Sequence, residues 1–357
     1  MSDIKLHRLG IIMEPEPGNA FEVEGVLNPA AVRGPDGQLY LFPRLVAKGN
    51  YSRIGIARVN FDKNGNPAGV ERLGIALEPE ADYEKRPDGG GCEDPRITFV
   101  EPLKEYIMTY TAFSPDGPRI ALARSTGLFK WERLGLATYA PYEDIEFNGI
   151  NNKDACMFPS IVQSKHGHPS LAMLHRPLFP GTRPEDTMHN AEDREIREHH
   201  ECIWISYCHL KKQQDNVYHL PKFVSNHPLA IPEAPWEKLK IGAGTPPLLT
   251  KHGWLILYHG VQETKPKIKN KRQLSYSAGI MILDKDEPRK ILYRSPRPVL
   301  TPDLPEEEVG TIANVVFPTG IDQRIDLGMP NRFDIYYGMA DNRIGVARLD
   351  LPDELPK

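Results

Sequence analysis

Cysteine is scarce: Cys92, Cys156, Cys202 and Cys208 are the only four in 357 residues. They form no Cys-x-x-Cys pair and no framework spacing, so a disulfide-built scaffold and a zinc knuckle are set aside and reduced thiols are expected. Long apolar runs are missing as well. Nothing approaches the roughly 18 to 20 apolar residues of a membrane span, and the opening Met-Ser-Asp-Ile-Lys-Leu-His-Arg carries no apolar signal segment. No membrane association and a cytoplasmic location are therefore expected. Net charge is small at −4, which removes the electrostatic footprint of a nucleic-acid binder. His166, His168, His199 and His200 lack the spacing of a familiar metal site, so no metal is expected.

Proline and glycine, by contrast, are plentiful, with 34 and 29 residues spread along the chain. This is the punctuation of many short strands joined by turns rather than of long helices, and it predicts an all-β fold. A weak internal repeat gives that fold a shape. Its unit is a polar residue before an apolar run, followed by two further strands. The first copy is Leu27-Asn28-Pro29-Ala30-Ala31-Val32, a Gly-Pro-Asp-Gly turn at 34–37, then 39–46 and 54–59. Later copies open at Glu93-Asp94-Pro95-Arg96-Ile97, Lys153-Asp154-Ala155-Cys156-Met157, Gly242-Ala243-Gly244-Thr245 and Asn314-Val315-Val316-Phe317-Pro318. Arg53-Ile54-Gly55-Ile56-Ala57-Arg58, Arg119-Ile120-Ala121-Leu122-Ala123-Arg124 and Arg343-Ile344-Gly345-Val346-Ala347-Arg348 share one pattern. Five such units predict a five-bladed β-propeller, one domain over 1–357 with a polar insertion at about 179–201.

In a radial arrangement the starts of the innermost strands meet at the axis, so residues far apart in the chain become neighbours. The predicted set is Asn28, Asp94, Lys153 and Asn314, joined from second-strand ends by Arg44, His175, Arg176, His259 and Asp341. Trp236-Glu237-Lys238-Leu239-Lys240 leads into the fourth unit and brings Lys240 within reach. Any one of these residues is explained by turn capping. A set carrying both signs of charge, at the same place in each unit, reads as a site.

Asp94 is the main candidate for the reacting group. Pro95 fixes the next φ and biases Asp94 toward extended backbone, which would hold its carboxyl in one direction, as a proton donor requires. One acid facing several cations suits inverting cleavage of a glycosidic bond. With water as nucleophile a second carboxylate must act as base; inorganic phosphate is already an anion and needs cations instead. Lys153, Arg176 and His259 are the right residue types for phosphate. Phosphorolysis and hydrolysis both stay open here, as does a non-catalytic carbohydrate-binding propeller in which Asp94 only accepts sugar hydroxyls.

Six motifs in order sharpen the reading: Gly91-Cys92-Glu93-Asp94-Pro95-Arg96-Ile97, Lys153 to Pro159, Leu174-His175-Arg176-Pro177, Trp236 to Gly244, Tyr258-His259-Gly260 and Tyr336-Tyr337-Gly338-Met339-Ala340-Asp341. Together, over about residues 20 to 350, they resemble glycoside hydrolase family 130, five-bladed propellers that act as mannoside phosphorylases, with some related β-mannosidases. The resemblance implies that Asp94 is the proton donor, directly or through a mannose hydroxyl. It implies that Asn28, Arg44, Lys240 and Asp341 hold the mannosyl unit and that Lys153, Arg176 and His259 hold phosphate. Lys153 stands where arginine is frequent in the family, keeping the charge without the bidentate fork. The resemblance also implies that hydrolytic relatives offer glutamates as base, for which Glu201 and Glu263 are available. The implied partners are a β-mannoside and inorganic phosphate as co-substrate, with no further cofactor and with a homo-oligomer compatible with the resemblance.

Overall fold

The repeats become sheets whose faces, rather than whose axis, are apolar. A computed structural model of the protein describes residues 4, 6–143, 145–179, 201–209, 220–264 and 273–356. Among these, the strands form five antiparallel blades of four main strands. The first blade runs Gly25–Arg33, Leu39–Ala47, Tyr51–Phe61, Pro67–Leu77, and the second Gly90–Val100, Glu105–Ser114, Gly117–Ser125, Glu132–Leu136. In the third the order is Asn151–Met157, Pro169–Leu178, Ile203–His209, Ser225–Ala230, and in the fourth Lys240–Ala243, Gly253–Thr264, Gln273–Leu283, Ile291–Arg294. The fifth consists of Val316–Gln323, Arg332–Met339 and Arg343–Asp350, completed on its outer edge by the chain's first strand, His7–Met13. The three Arg-Ile segments that matched in sequence are the third strands of blades one, two and five. The insertion at 179–201 lies, apart from Phe179 and Glu201, outside the described residues.

Inner strands of neighbouring blades lie against one another from blade one to blade four, and the fifth inner strand returns to the first and touches blade four through its second and third strands. The apolar side chains fill the spaces between blades. Ile54, Phe42, Met108 and Tyr110 pack blade one on blade two, and Leu255, Ile280, Ile335 and Leu349 pack blade four on blade five. Each such fully buried side chain contributes roughly 1.5–3 kcal/mol relative to exposure. With apolar groups consumed between the blades, the inner strands turn buried polar residues toward one another, among them Asn28, Glu93, Asp94, Arg96 and Asp154.

Three inner strands share one irregularity. Their pairing with the second strand slips between Leu27 and Ala30, between Glu93 and Arg96, and between Lys153 and Cys156. At each slip sits a residue with left-handed backbone: Asn28 at φ 44°, Asp94 at φ 47° and Asp154 at φ 58°. Asn and Asp tolerate this region better than other side chains, and an irregularity of this kind re-aims one side chain out of the pleat. Two expectations are corrected by it. Asp94 is not in extended backbone; the slip requires positive φ, and Pro95 fixes only the residue that follows. The third-blade counterpart of Asn28 and Asp94 is Asp154, whereas Lys153 corresponds to Glu93.

Candidate active site

Strand register sets the geometry. Leu27 pairs with Arg44, Lys153 with Arg176 and Gly242 with His259, so the second strands of blades one, three and four deliver Arg44, Arg176 and His259 from one level. Asp94 Oδ1 accepts from Asn28 Nδ2 at 2.9 Å and from Arg44 Nη1 at 3.4 Å. The second strand of blade five comes so close to Asn28 that a Cβ on Gly338 would stand 2.0 Å from Asn28 Oδ1. Glu93 links Arg44 Nη2, at 2.8 Å, to Lys153 Nζ, at 3.4 Å. Ser52 Oγ at 2.9 Å and Asn50 Oδ1 at 3.1 Å hold the rest of the Arg44 guanidinium.

A second arm of contacts leads to blade four. Arg96 donates to the Asp94 carbonyl at 2.7 Å and to the Gly244 carbonyl at 3.0 Å, and lies 3.8 Å from Asp154 Oδ1. Asp154 Oδ2 accepts from Arg176 Nε at 2.5 Å and stands 3.7 Å from His259 Nε2. Arg176 Nη1 donates to Glu201 Oε2, which is 3.6 Å from Lys240 Nζ. The Lys240 ammonium also sits over the Tyr276 ring, 5.6 Å from its centre. One polar network thus joins residues from Asn28 to Lys240 across four blades.

Its charges are not equivalent. Burial alone would raise the Asp94 carboxyl, yet Arg44, Arg96 and Lys153 outweigh it and hold the group below the usual carboxylate range. Asp341 feels the same Arg44 and Lys153, but burial and the neighbouring Asp94 charge dominate and push it up to about 6. Asp154 is likewise exposed to opposing effects, and Arg176, His259 and Arg96 overcome its burial to keep it well below the usual range. His259 goes the other way: burial lowers it to about 3 despite Asp154, so the imidazole is neutral at physiological pH. Both of its ring nitrogens lack a hydrogen-bond partner within the described structure.

The family model for glycoside hydrolase family 130, described as beta-1,4-mannooligosaccharide phosphorylase, matches residues 14–355. The chain belongs to glycoside hydrolase family 130. Among family relatives, the 1,2-beta-oligomannan phosphorylase of Thermoanaerobacter sp. (strain X514) is 31% identical over 98% of this chain and 99% of its own. The Beta-1,4-mannooligosaccharide phosphorylase of Ruminococcus albus is 41% identical over 82% of this chain and 73% of its own. The solved Beta-1,2-Mannobiose phosphorylase from Listeria innocua superposes with a TM-score of 0.70 at 21% identity, covering 98% of this chain and 97% of that one. That likeness carries the five-bladed fold.

Within this family 130 chain, the structure gathers Asn28, Arg44, Asp94, Lys153, Arg176, His259 and Lys240 as the sequence predicts, with Asp341 electrostatically tied to Arg44, Asp94 and Lys153. Lys240 borders Arg176 through Glu201 rather than the Asn28–Asp94 side. His175 does not belong to the set. Alternation along Pro169–Leu178 turns it away from Arg176, and its ring stacks on Tyr139 at 4.8 Å and meets Ser206 Oγ at 2.7 Å. Asn314 is held by backbone bonds to Tyr276 and Glu308. Glu263 lies near the end of its strand, opposite Leu274. His168 packs on His209 at 5.1 Å, and His199 and His200 lie outside the described residues.

Sequence reasoning missed Glu93 and Arg96 as connectors, and Asp154. Asp154 was detectable: Asn28-Pro29, Asp94-Pro95 and Asp154-Ala155 place a short polar side chain before a small or cyclic residue at the same point of three repeats.

Proposed function

We propose that the protein is a single-domain propeller that phosphorolyses β-1,2- or β-1,4-linked mannosides with inversion. The supporting observation is the polar network that has the Asp94 carboxyl at one end and Arg176, Lys240 and a neutral His259 at the other, with Lys153 between them. A phosphate oxygen forms its bond to C1 of the mannosyl unit on the face opposite the leaving group. The C1–O bond breaks, its electron pair stays on the acceptor oxygen, and that oxygen takes a proton from Asp94, directly or through a mannose hydroxyl. The products are α-mannose 1-phosphate and an acceptor one unit shorter. Asn28, Arg44, Lys240 and Asp341 are assigned to the mannosyl unit. Lys153 and Arg176 supply charge to phosphate, and the His259 imidazole supplies one N–H without charge.

Product analysis tests the reading directly. Purified protein is incubated with β-1,2- and with β-1,4-mannobiose, each with and without inorganic phosphate. Mannose 1-phosphate appearing only with phosphate is expected, and the substrate that yields it names the linkage. Free mannose in equal amounts with and without phosphate would make the protein a hydrolase, and binding without turnover would make it a carbohydrate-binding propeller.

The phosphate end depends on a missing side chain. A Cβ on Gly242 would stand 2.2 Å from Asp154 Oδ2 and 2.3 Å from His259 Cε1, so the carboxylate and the ring could not both keep their places. Gly242→Ala is therefore expected to raise the KM for phosphate about tenfold, equivalent to ~1.4 kcal/mol, while the KM for mannoside changes much less. Equal changes in both constants would count against a local role.

A further inference from the structure

The network is rich in carboxylates for an anion site. Arg176 is buried and always charged, and it already has Asp154 on Nε and Glu201 on Nη1. Counting through the network, Arg44, Arg96, Lys153, Arg176 and Lys240 are matched one for one by Glu93, Asp94, Asp154, Glu201 and Asp341. Phosphate entering this arrangement would add negative charge to a site without a surplus of cations. A carboxylate that shares its cations with phosphate would have to give way to it.

The two partners of Arg176 differ in how firmly they are held. Asp154 sits on an inner strand, its side chain 2% exposed, between Arg176, Arg96 and His259. Glu201 is 14% exposed at the side chain, and among the described residues its carboxylate meets Arg176, assigned to phosphate, and Lys240, assigned to the adjoining mannosyl unit. Its carbonyl accepts from Ile241 N at 3.1 Å, so the backbone is tied to the first strand of blade four while the longer glutamate stem can swing. Carboxylate and phosphate oxygens are interchangeable partners for a guanidinium, and a phosphate dianion brings more charge to the exchange than a single carboxylate.

We infer that Glu201 is a tethered stand-in for phosphate: it occupies Arg176 and Lys240 in the empty site, is displaced when phosphate binds, and thereby sets phosphate affinity. This rests on the phosphorolysis reading. The exchange keeps the guanidinium and ammonium paired in the absence of substrate, so neither is left as an uncompensated buried charge. It also makes Glu201 a determinant of which nucleophile the site accepts, without giving it a part in bond breaking.

The test is Glu201→Gln, which removes the charge and keeps the shape and an acceptor oxygen for Arg176. Isothermal calorimetry with inorganic phosphate alone, and KM for phosphate during turnover of the active mannobiose, are measured on wild type and variant. Glu201→Gln is expected to bind phosphate about tenfold or more tightly and to lower the KM for phosphate by the same factor. Glu201→Asp, which draws the charge back by one methylene, is expected to fall between the two and serves if the glutamine variant does not fold. Unchanged or weaker phosphate binding in both variants overturns the inference. A fall in kcat with KM for phosphate unaltered overturns it too, because Glu201 would then act in the chemistry. If wild type releases free mannose regardless of phosphate, the phosphorolysis reading fails; the calorimetric comparison needs no turnover and still decides whether Glu201 competes with phosphate.

Discussion

Replacing Asp94 by Asn is expected to lower kcat by about a thousandfold or more, the upper range for loss of a positioned proton donor, with the propeller intact. The substitution is nearly isosteric. Asn28 keeps an acceptor, and Arg44 keeps Glu93, Ser52 and Asn50. The loss should be confined to the proton. With an aryl β-mannoside whose leaving group needs no protonation, the same variant is expected to recover most of its rate; an equal loss on both substrates would assign Asp94 to binding. The pH profile adds a second signature. Asp94 is held low by its cations while Asp341 is raised to about 6 by burial and by the Asp94 charge, so the group that loses a proton near pH 6 is Asp341. Wild-type turnover should therefore change near pH 6, and in Asp94→Asn, which removes one of the charges that raise Asp341, the step should move to lower pH.

Acid is expected to unfold the protein steeply. His175, His227 and His259 are lowered by burial to about 3, 4 and 3. Each remains neutral in the folded chain at a pH where it would be protonated in the unfolded one, near its ordinary 6.5. Between pH 6.5 and about 4 the unfolded state therefore binds up to three more protons, and stability falls as pH falls. Asp341 works against this trend. Its folded value is above its unfolded 3.8, so between about 4 and 6 the folded state binds one more proton. The difference is about two protons, or roughly 3 kcal/mol per pH unit near pH 5. A folded domain with a usual reserve of about 5–15 kcal/mol exhausts it within a few units. Urea midpoints measured from pH 7.5 to 4.5 should be flat at the upper end and then drop, and His259→Gln should reduce the slope by about one proton. Midpoints that stay level to pH 4.5 would mean that these rings are not buried neutral.

Much of this site could be read from the sequence because a propeller repeats its geometry. Once the five polar-then-apolar starts were aligned, Asn28, Asp94, Arg44, Arg176 and His259 fell at corresponding points, and register later brought the last three to one level. What was not legible depended on single-residue offsets. Lys153 opens the third unit as the polar residue before its apolar run, but the slip in the inner strand shows Asp154 as the counterpart of Asp94. His175 and Arg176 are adjacent and both basic, and only the alternation of the strand separates a core ring from a site cation. The charge of His259 was also beyond the sequence: as a residue type it suggests a cation, and burial makes it neutral. Fourth strands escape the pattern because blade edges are mixed in composition, as in Pro67–Leu77, and several are also short, as in Glu132–Leu136.

The pairing of His7–Met13 with Arg343–Asp350 has a consequence for biosynthesis. His7–Met13 is made long before the strand it pairs with, since about 340 residues separate His7 from Arg348. Until then the outer edge of the final blade is open and the opening segment has no sheet to join, an exposed intermediate of the kind that favours pairing between copies. A circular permutant with new ends in the 62–66 turn and the old ends linked would make these two strands neighbours in synthesis, trading one late, distant docking event for a local hairpin.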